Sequence, residues 1–172
     1  NYQFRSAFTQ DGETIRFWSW GVGRVYDFTL KTGAFKRVDK SFNQLNQLGH
    51  SWYFNTKTGN IYAFGGYGLF STKNLFTYYD SKLDEWELFR TKSQQLPPYS
   101  DYSSMIYDSV SSQFMIHFNK CRPKQSDMEL DNSIIETNQL WTFSPGTLEW
   151  KNKGNWNLEF LKEKDKIAGI PL

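Results

Sequence analysis

One unit recurs three times along this chain, and that recurrence limits the fold more than any single residue does. A short aromatic stretch is followed by a turn and one further ring: Val25-Tyr26-Asp27-Phe28 with Phe35, Leu75-Phe76-Thr77-Tyr78 with Trp86, and Leu140-Trp141-Thr142-Phe143 with Trp150. From the last ring of each stretch to the later ring the separation is 7, 8 and 7 residues, which predicts one extra residue in the middle turn. The starts at Val25, Leu75 and Leu140 lie 50 and 65 residues apart, and the excess falls in the polar stretch Lys120 to Thr137, read as a loop insertion. Self-similarity at such a period is the mark of stacked repeats rather than of one closed core.

Strand signals dominate each repeat. Ile15-Arg16-Phe17-Trp18, Ile61-Tyr62-Ala63-Phe64 and Phe114-Met115-Ile116-His117-Phe118 are short, rich in rings and β-branched side chains, and preceded by the turn pairs Asp11-Gly12, Thr58-Gly59 and Ser111-Ser112. Each repeat reads as four strands, in the second at about 50–55, 60–65, 74–79 and 85–90. A four-stranded antiparallel sheet with two apolar faces cannot bury itself and must stack on copies. With 15 Phe, 10 Tyr and 7 Trp, rings are expected to fill the space between sheets.

The run Gly49-His50-Ser51, Ile61-Tyr62-Ala63-Phe64-Gly65-Gly66, Asn74-Leu75-Phe76-Thr77-Tyr78-Tyr79-Asp80 and Trp86 resembles the kelch repeat, marked by a double glycine after the second strand and a spaced tryptophan. The third repeat matches at Pro97-Pro98, Asn138 to Phe143, Thr147 and Trp150, but has Phe118-Asn119 where the double glycine belongs. The first has Ser19-Trp20 there and Phe35 for the tryptophan. The resemblance implies an all-β fold, a β-propeller of four-stranded antiparallel kelch-like blades. Three blades are expected within residues 1–154, at about 2–40, 48–92 and 99–154, with 155–172 as a tail or linker carrying a short helix or mixed-charge run. Propellers typically have four to eight blades. The ring is therefore expected to be incomplete here, its remaining blades coming from a parent chain or another subunit.

Composition removes several functions. The net charge is only +2, which gives no push towards nucleic acid. The longest charge-free stretch, Thr58 to Thr72, is too short and too polar to span a bilayer. A single cysteine cannot form an internal disulfide, and two histidines beside it do not supply a structural zinc site. The start at Asn1 suggests processing or excision, with a slight lean to a secreted or envelope protein over a cytoplasmic one.

Catalysis finds little footing, and neither a catalytic residue nor a cofactor or metal is expected. His50 reads as structural, pinning a loop through its ring nitrogens, and His117 as a half-buried, hydrogen-bonded strand residue. Cys121 lies among Lys120, Arg122 and Lys124, a setting that lowers a thiol pKa, but is read as a bystander in an exposed loop. Asp127, Glu129 and Asp131 begin like a calcium loop whose glycine and final glutamate are missing. Some kelch-like propellers are copper oxidases or sugar-converting enzymes, and the resemblance keeps that reading open. His50, Gly65, Gly66, Trp86, Trp141 and Trp150 are read as structural repeat positions. Trp20, Tyr67, Phe70 and Arg122, on loops after the second strands, are the candidate binding residues, because exposed rings with arginine carry interface energy. The expected role is a non-catalytic protein-interaction or scaffold module. Carbohydrate binding or conversion is the alternative.

Overall fold

The computed structural model describes residues 4–19, 21–41, 47–69, 71–122 and 134–156. Those residues are all-β, with no helix among them, and form three four-stranded antiparallel sheets, each a simple up-and-down meander. The first sheet holds β1 (Phe4–Phe8), β2 (Thr14–Ser19), β3 (Val25–Thr29) and β4 (Ala34–Arg37). The second holds β5 (Ser51–Phe54), β6 (Ile61–Phe64), β9 (Phe76–Asp80) and β10 (Glu85–Leu88), with a small hairpin, β7 (Tyr67–Gly68) and β8 (Ser71–Thr72), between β6 and β9. The third holds β11 (Ser103–Asp108), β12 (Gln113–Cys121), β13 (Ile135–Ser144) and β14 (Glu149–Asn155).

The strand pairing corrects the repeat spacing. Phe28 faces Phe35, Tyr79 faces Trp86 and Phe143 faces Trp150, so each outer hairpin joins rings 7 residues apart and the middle turn carries no insertion. The ring equivalent to Phe28 is Tyr79 rather than Tyr78. Position five of each hairpin, counted from that ring, is Gly33, Asp84 or Leu148, and all three adopt positive φ. The conserved geometry lies in the backbone, where side-chain identity says little.

This register decides which way each sheet faces. Side chains alternate across a strand, so Phe28, Tyr79 and Phe143 share one face of their sheets with Phe8/Ile15, Phe54/Ile61 and Tyr107/Phe114. We term this the leading face and its opposite the trailing face. The leading face of the second sheet packs on the trailing face of the first, where Trp18 and Val25 meet Phe54, Ile61 and Tyr79. The leading face of the third packs in the same way on Phe64 and Phe76 of the second, through Phe114, Ile116, Trp141, Phe143 and Trp150. Rings dominate both layers. Phe76 lies 5.0 Å from both Phe114 and Phe143, edge to face, a geometry worth about 0.5–1.5 kcal/mol per pair beyond burial.

Polar clips tie the layers together. Arg16 forms a two-point bond with Asp27, both contacts 2.8 Å, while its Nη1 donates across the gap to the Gly59 carbonyl at 2.8 Å. The Trp86 indole N–H donates to the Gly23 carbonyl at 2.5 Å, so this repeat tryptophan joins two sheets. Trp150 donates its backbone N–H to Ser93 Oγ at 2.6 Å, whereas the Trp141 indole bond to Gln139 Oε1, at 3.0 Å, stays within β13.

The double glycine has a steric cause. Gly65 and Gly66 have φ of 73° and 89°, and a Cβ would meet the Ser100 carbonyl oxygen at 2.3 Å in the first case and the Leu48 carbonyl oxygen at 2.8 Å in the second. Two backbone segments cross over this pair. In the third sheet, where Phe118 and Asn119 replace it, β12 instead runs on through a bulge to Cys121. The stretch read as a loop from Lys120 to Thr137 is therefore shorter, since β12 takes its start and β13 takes Ile135 to Thr137. Asp127, Glu129 and Asp131, and residues 157–172 of the expected tail, lie outside the described residues.

Candidate functional site

The sheets converge at their first strands. β5 and β11 touch, and Ser103 Oγ donates to Ser51 Oγ at 3.1 Å across the junction. There a cleft of about 560 Å³ opens, lined by Arg5 of β1, by Gly49, His50, Ser51 and Trp52 at β5, and by Asp101 to Met105 at β11. Positions 5, 51 and 104 are equivalent in the repeat, each paired with the residue that precedes the glycine site: Trp18, Phe64 or His117. The fold thus brings one repeat position from three sheets to one place.

The cleft is polar with an aromatic side. Arg5 lies over the Trp52 ring at 5.9 Å, and the other neighbour of that ring is Trp18 at 5.1 Å. Trp52 is therefore a support for the guanidinium. Tyr102, 47% exposed, presents its ring at the rim, with Lys120 Nζ 5.9 Å from its centre. Its backbone N–H donates to the buried Ser100 hydroxyl at 2.9 Å, which in turn donates to the Lys120 carbonyl at 2.7 Å, so the rim is held from below.

Two acceptors in the wall lack partners. His50 is buried, and its Nδ1 is bonded to the Gln47 carbonyl. A carbonyl only accepts, so Nδ1 carries the proton and a neutral Nε2 is left as a bare lone pair. Burial pushes the imidazole down to about 4, the Gln47 carbonyl opposes this in part, and the Arg5 charge adds to it. Nε2 of His50 and Oδ1 of Asp101 are buried without a hydrogen-bond partner among the described residues. Each such atom costs about 1–3 kcal/mol. Serine hydroxyls, one guanidinium and an exposed ring thus line the cleft, with two unpaired acceptors buried in its wall.

The residues singled out from sequence fall elsewhere. Trp20 and Phe70 lie outside the described residues. Tyr67 is half-buried in the β7–β8 hairpin, where it pairs through its backbone with Leu48. Arg122 is only 4% exposed and bridges to Tyr99, so it is packed rather than offered on an open loop. The structure does not bring Tyr67 and Arg122 to the cleft. Cys121 is likewise not in an exposed loop: it ends β12, is buried, and burial raises its thiol pKa in place of the lowering its basic neighbours suggested. His117 is half-buried and bonded to Asn138 Oδ1 at 2.6 Å, as its strand position implied. His50 does pin a loop, through one ring nitrogen. Sequence reasoning missed Arg5, Asp101, Tyr102 and Ser104. The available signal was positional, because Arg5, Ser51 and Ser104 occupy the same place in three repeats.

No protein-family model and no curated relative matches this chain. Solved structures do match it, among them one titled "Structure of YjhT", with a TM-score of 0.61 and 13% sequence identity. The likeness covers 92% of this chain and 53% of that one, so the chain spans about half the length of the structure it matches. At that identity the likeness concerns the fold.

Proposed function

We propose that these sheets are kelch-like blades of a β-propeller and that the chain acts as a non-catalytic binding module, with the cleft at the first strands as its site for a carbohydrate. The observation that carries this reading is the convergence of Arg5, Ser51, Tyr102 and Ser104 from three sheets in one cleft. Two features support the propeller: both interfaces between sheets set a leading face on a trailing face, and β5 and β11, the first strands of neighbouring sheets, touch, as in blades around an axis. Sugar hydroxyls pair with the exposed Arg5 and Ser104, and a pyranose stacks on an exposed tyrosine ring. Binding without turnover fits a His50 whose proton is held by a backbone carbonyl.

Saturation-transfer NMR with the methyl glycosides of glucose, galactose and mannose tests the site. At least one glycoside should bind, and Tyr102→Ala or Arg5→Gln should weaken it at least tenfold with the melting temperature unchanged. No binding by any of the three, or binding indifferent to both substitutions, would overturn the carbohydrate reading. Turnover of a bound sugar would overturn the non-catalytic one. A protein partner is the second reading, favoured by the rings exposed on the first sheet.

A further inference from the structure

A second cleft, of about 510 Å³, opens at the other end of β1 and β5, between the β1–β2, β5–β6 and β9–β10 turns, and its lining includes Thr9, Asp11, Arg16, Thr56, Lys57 and Thr58. The repeat explains why this place is open. Ala7, Arg16 and Asp27 lie side by side across the trailing face of the first sheet, at the positions held by Tyr53, Tyr62 and Tyr78 in the second. Towards the third sheet those tyrosines fill the space, with Tyr53 5.5 Å from Tyr107 and Tyr62 4.7 Å from Phe114. Where the first sheet meets the second, a methyl group and an ion pair stand in for three rings. A buried ion pair is often worth no more to stability than apolar side chains of its volume, so the strength of the layer does not account for the exchange.

Arg16 is fixed in this lining with donors to spare. It is 8% exposed, its Cζ lies 5.5 Å from the centre of the Tyr79 ring, and a guanidinium carries five N–H donors. Asp27 takes Nε and one hydrogen of Nη2, and the Gly59 carbonyl takes one hydrogen of Nη1, so one N–H on each Nη has no partner among the described residues. Gly59 admits the group: at its φ of 73° a Cβ would meet Nη1 at 2.9 Å. Beside it, Thr56 and Lys57 are exposed, and Thr58 Oγ1 accepts from the Asn60 N–H, which leaves its own hydrogen to donate. Asp11 is the one carboxylate of the lining, and its Oδ1 is already taken by Thr9 Oγ1 at 2.7 Å and the Glu13 N–H at 2.9 Å. The cleft therefore offers mainly N–H and O–H donors. We infer that it binds a small organic acid through a single carboxylate, which accepts from the two spare Arg16 N–H groups and from Lys57. A planar carboxylate matches a guanidinium edge, and the Asp11 charge opposes a ligand with two negative charges, such as phosphate. This cleft shares no lining residue with the one at Tyr102, and the inference does not rest on the carbohydrate reading.

Titration of the full chain with acetate, lactate and benzoate, each beside its neutral amide, tests the site, with the Arg16 Nε–H and the Lys57 backbone amide followed by nitrogen-15 NMR. At least one acid should shift both resonances to saturation while its amide leaves them in place. Lys57→Gln should weaken that acid at least fivefold with the melting temperature unchanged, because Lys57 is exposed and holds no part of the fold. Asp11→Asn, which keeps the oxygen that Thr9 and Glu13 bond and removes the charge, should bind the acid at least twofold more tightly. No saturable shift with any of the three acids, an amide that binds as well as its acid, or an affinity that Lys57→Gln leaves unchanged would overturn the inference. Inorganic phosphate binding more tightly than every acid, or weaker binding in Asp11→Asn, would overturn the assignment to a single carboxylate. The glycoside titration reads Tyr102 and this one reads Arg16, so either proposal can fail alone.

Discussion

A single buried imidazole carries much of what can be tested at the residue scale. His50 holds Gln47 through its carbonyl, and Gln47 is itself a fully buried clamp: its Nε2 donates to the Gly65 carbonyl at 2.9 Å and its Oε1 accepts from Thr77 Oγ1 at 2.8 Å. Because the folded-state pKa of His50, about 4, lies below its ordinary value of 6.5, the unfolded chain takes up the proton first as the pH falls. The stability this group contributes is complete above pH 6.5 and declines down to about pH 4, by on the order of 3 kcal/mol. Urea denaturation of the wild type at pH 7 and pH 4.5, beside His50→Asn, should show a loss on acidification that the variant largely lacks, since Asn offers one amide donor to Gln47 and has no proton to gain. Equal losses in both proteins would mean that carboxylates alone set the acid response.

At the scale of the element, the turn from β6 into the β7–β8 hairpin is limited by backbone crossing backbone. Gly66 donates to the Ser100 carbonyl at 2.8 Å while its Cα hydrogen side faces Gln47 and Leu48. Gly66→Ala combines a positive φ of 89° with a clash against backbone that cannot rotate away. The expected cost is about 3 kcal/mol, read from chemical denaturation, and a cost below 1 kcal/mol would show that the crossing segment can shift. Gly12→Ala is the control, with a φ of 68° and open space around the added carbon. It should cost about 1 kcal/mol, the conformational penalty alone.

The whole molecule is a short stack, and its stability lies in the layers between sheets. Equivalent rings therefore differ in worth by where their sheet stands. Phe143→Ala removes a fully buried ring that touches Phe76, Phe89 and Trp150, and should cost about 3–5 kcal/mol. Phe35→Ala, in the ring position of its own sheet's leading face, should cost about 1 kcal/mol, because only its stacking on Tyr26 and Phe17 is lost. Thermal unfolding of the two variants measures the difference. Equal costs would mean that the first sheet's face is covered in solution.

The four strands of each repeat could be read from aromatic alternation and turn residues, because both signals are local and are set by how a strand exposes alternate side chains. The double glycine was visible as a pair, but its cause was not, since Leu48 and Ser100 reach it from 18 and 34 residues away in the chain. The one-residue error at Tyr78 and Tyr79 has the same origin. Adjacent rings look alike in a list of letters, and only cross-strand pairing shows which of them faces Trp86. Arg122 and Cys121 were misplaced because basic neighbours in sequence say nothing about a strand that buries them. Local pattern determined that this chain forms repeated four-stranded sheets built on rings. Tertiary structure alone decided which face each ring takes, which first-strand residues meet in the cleft, and which face is left open, because all three depend on contacts between sheets about 50 residues apart, and those distances are fixed only when the sheets stack.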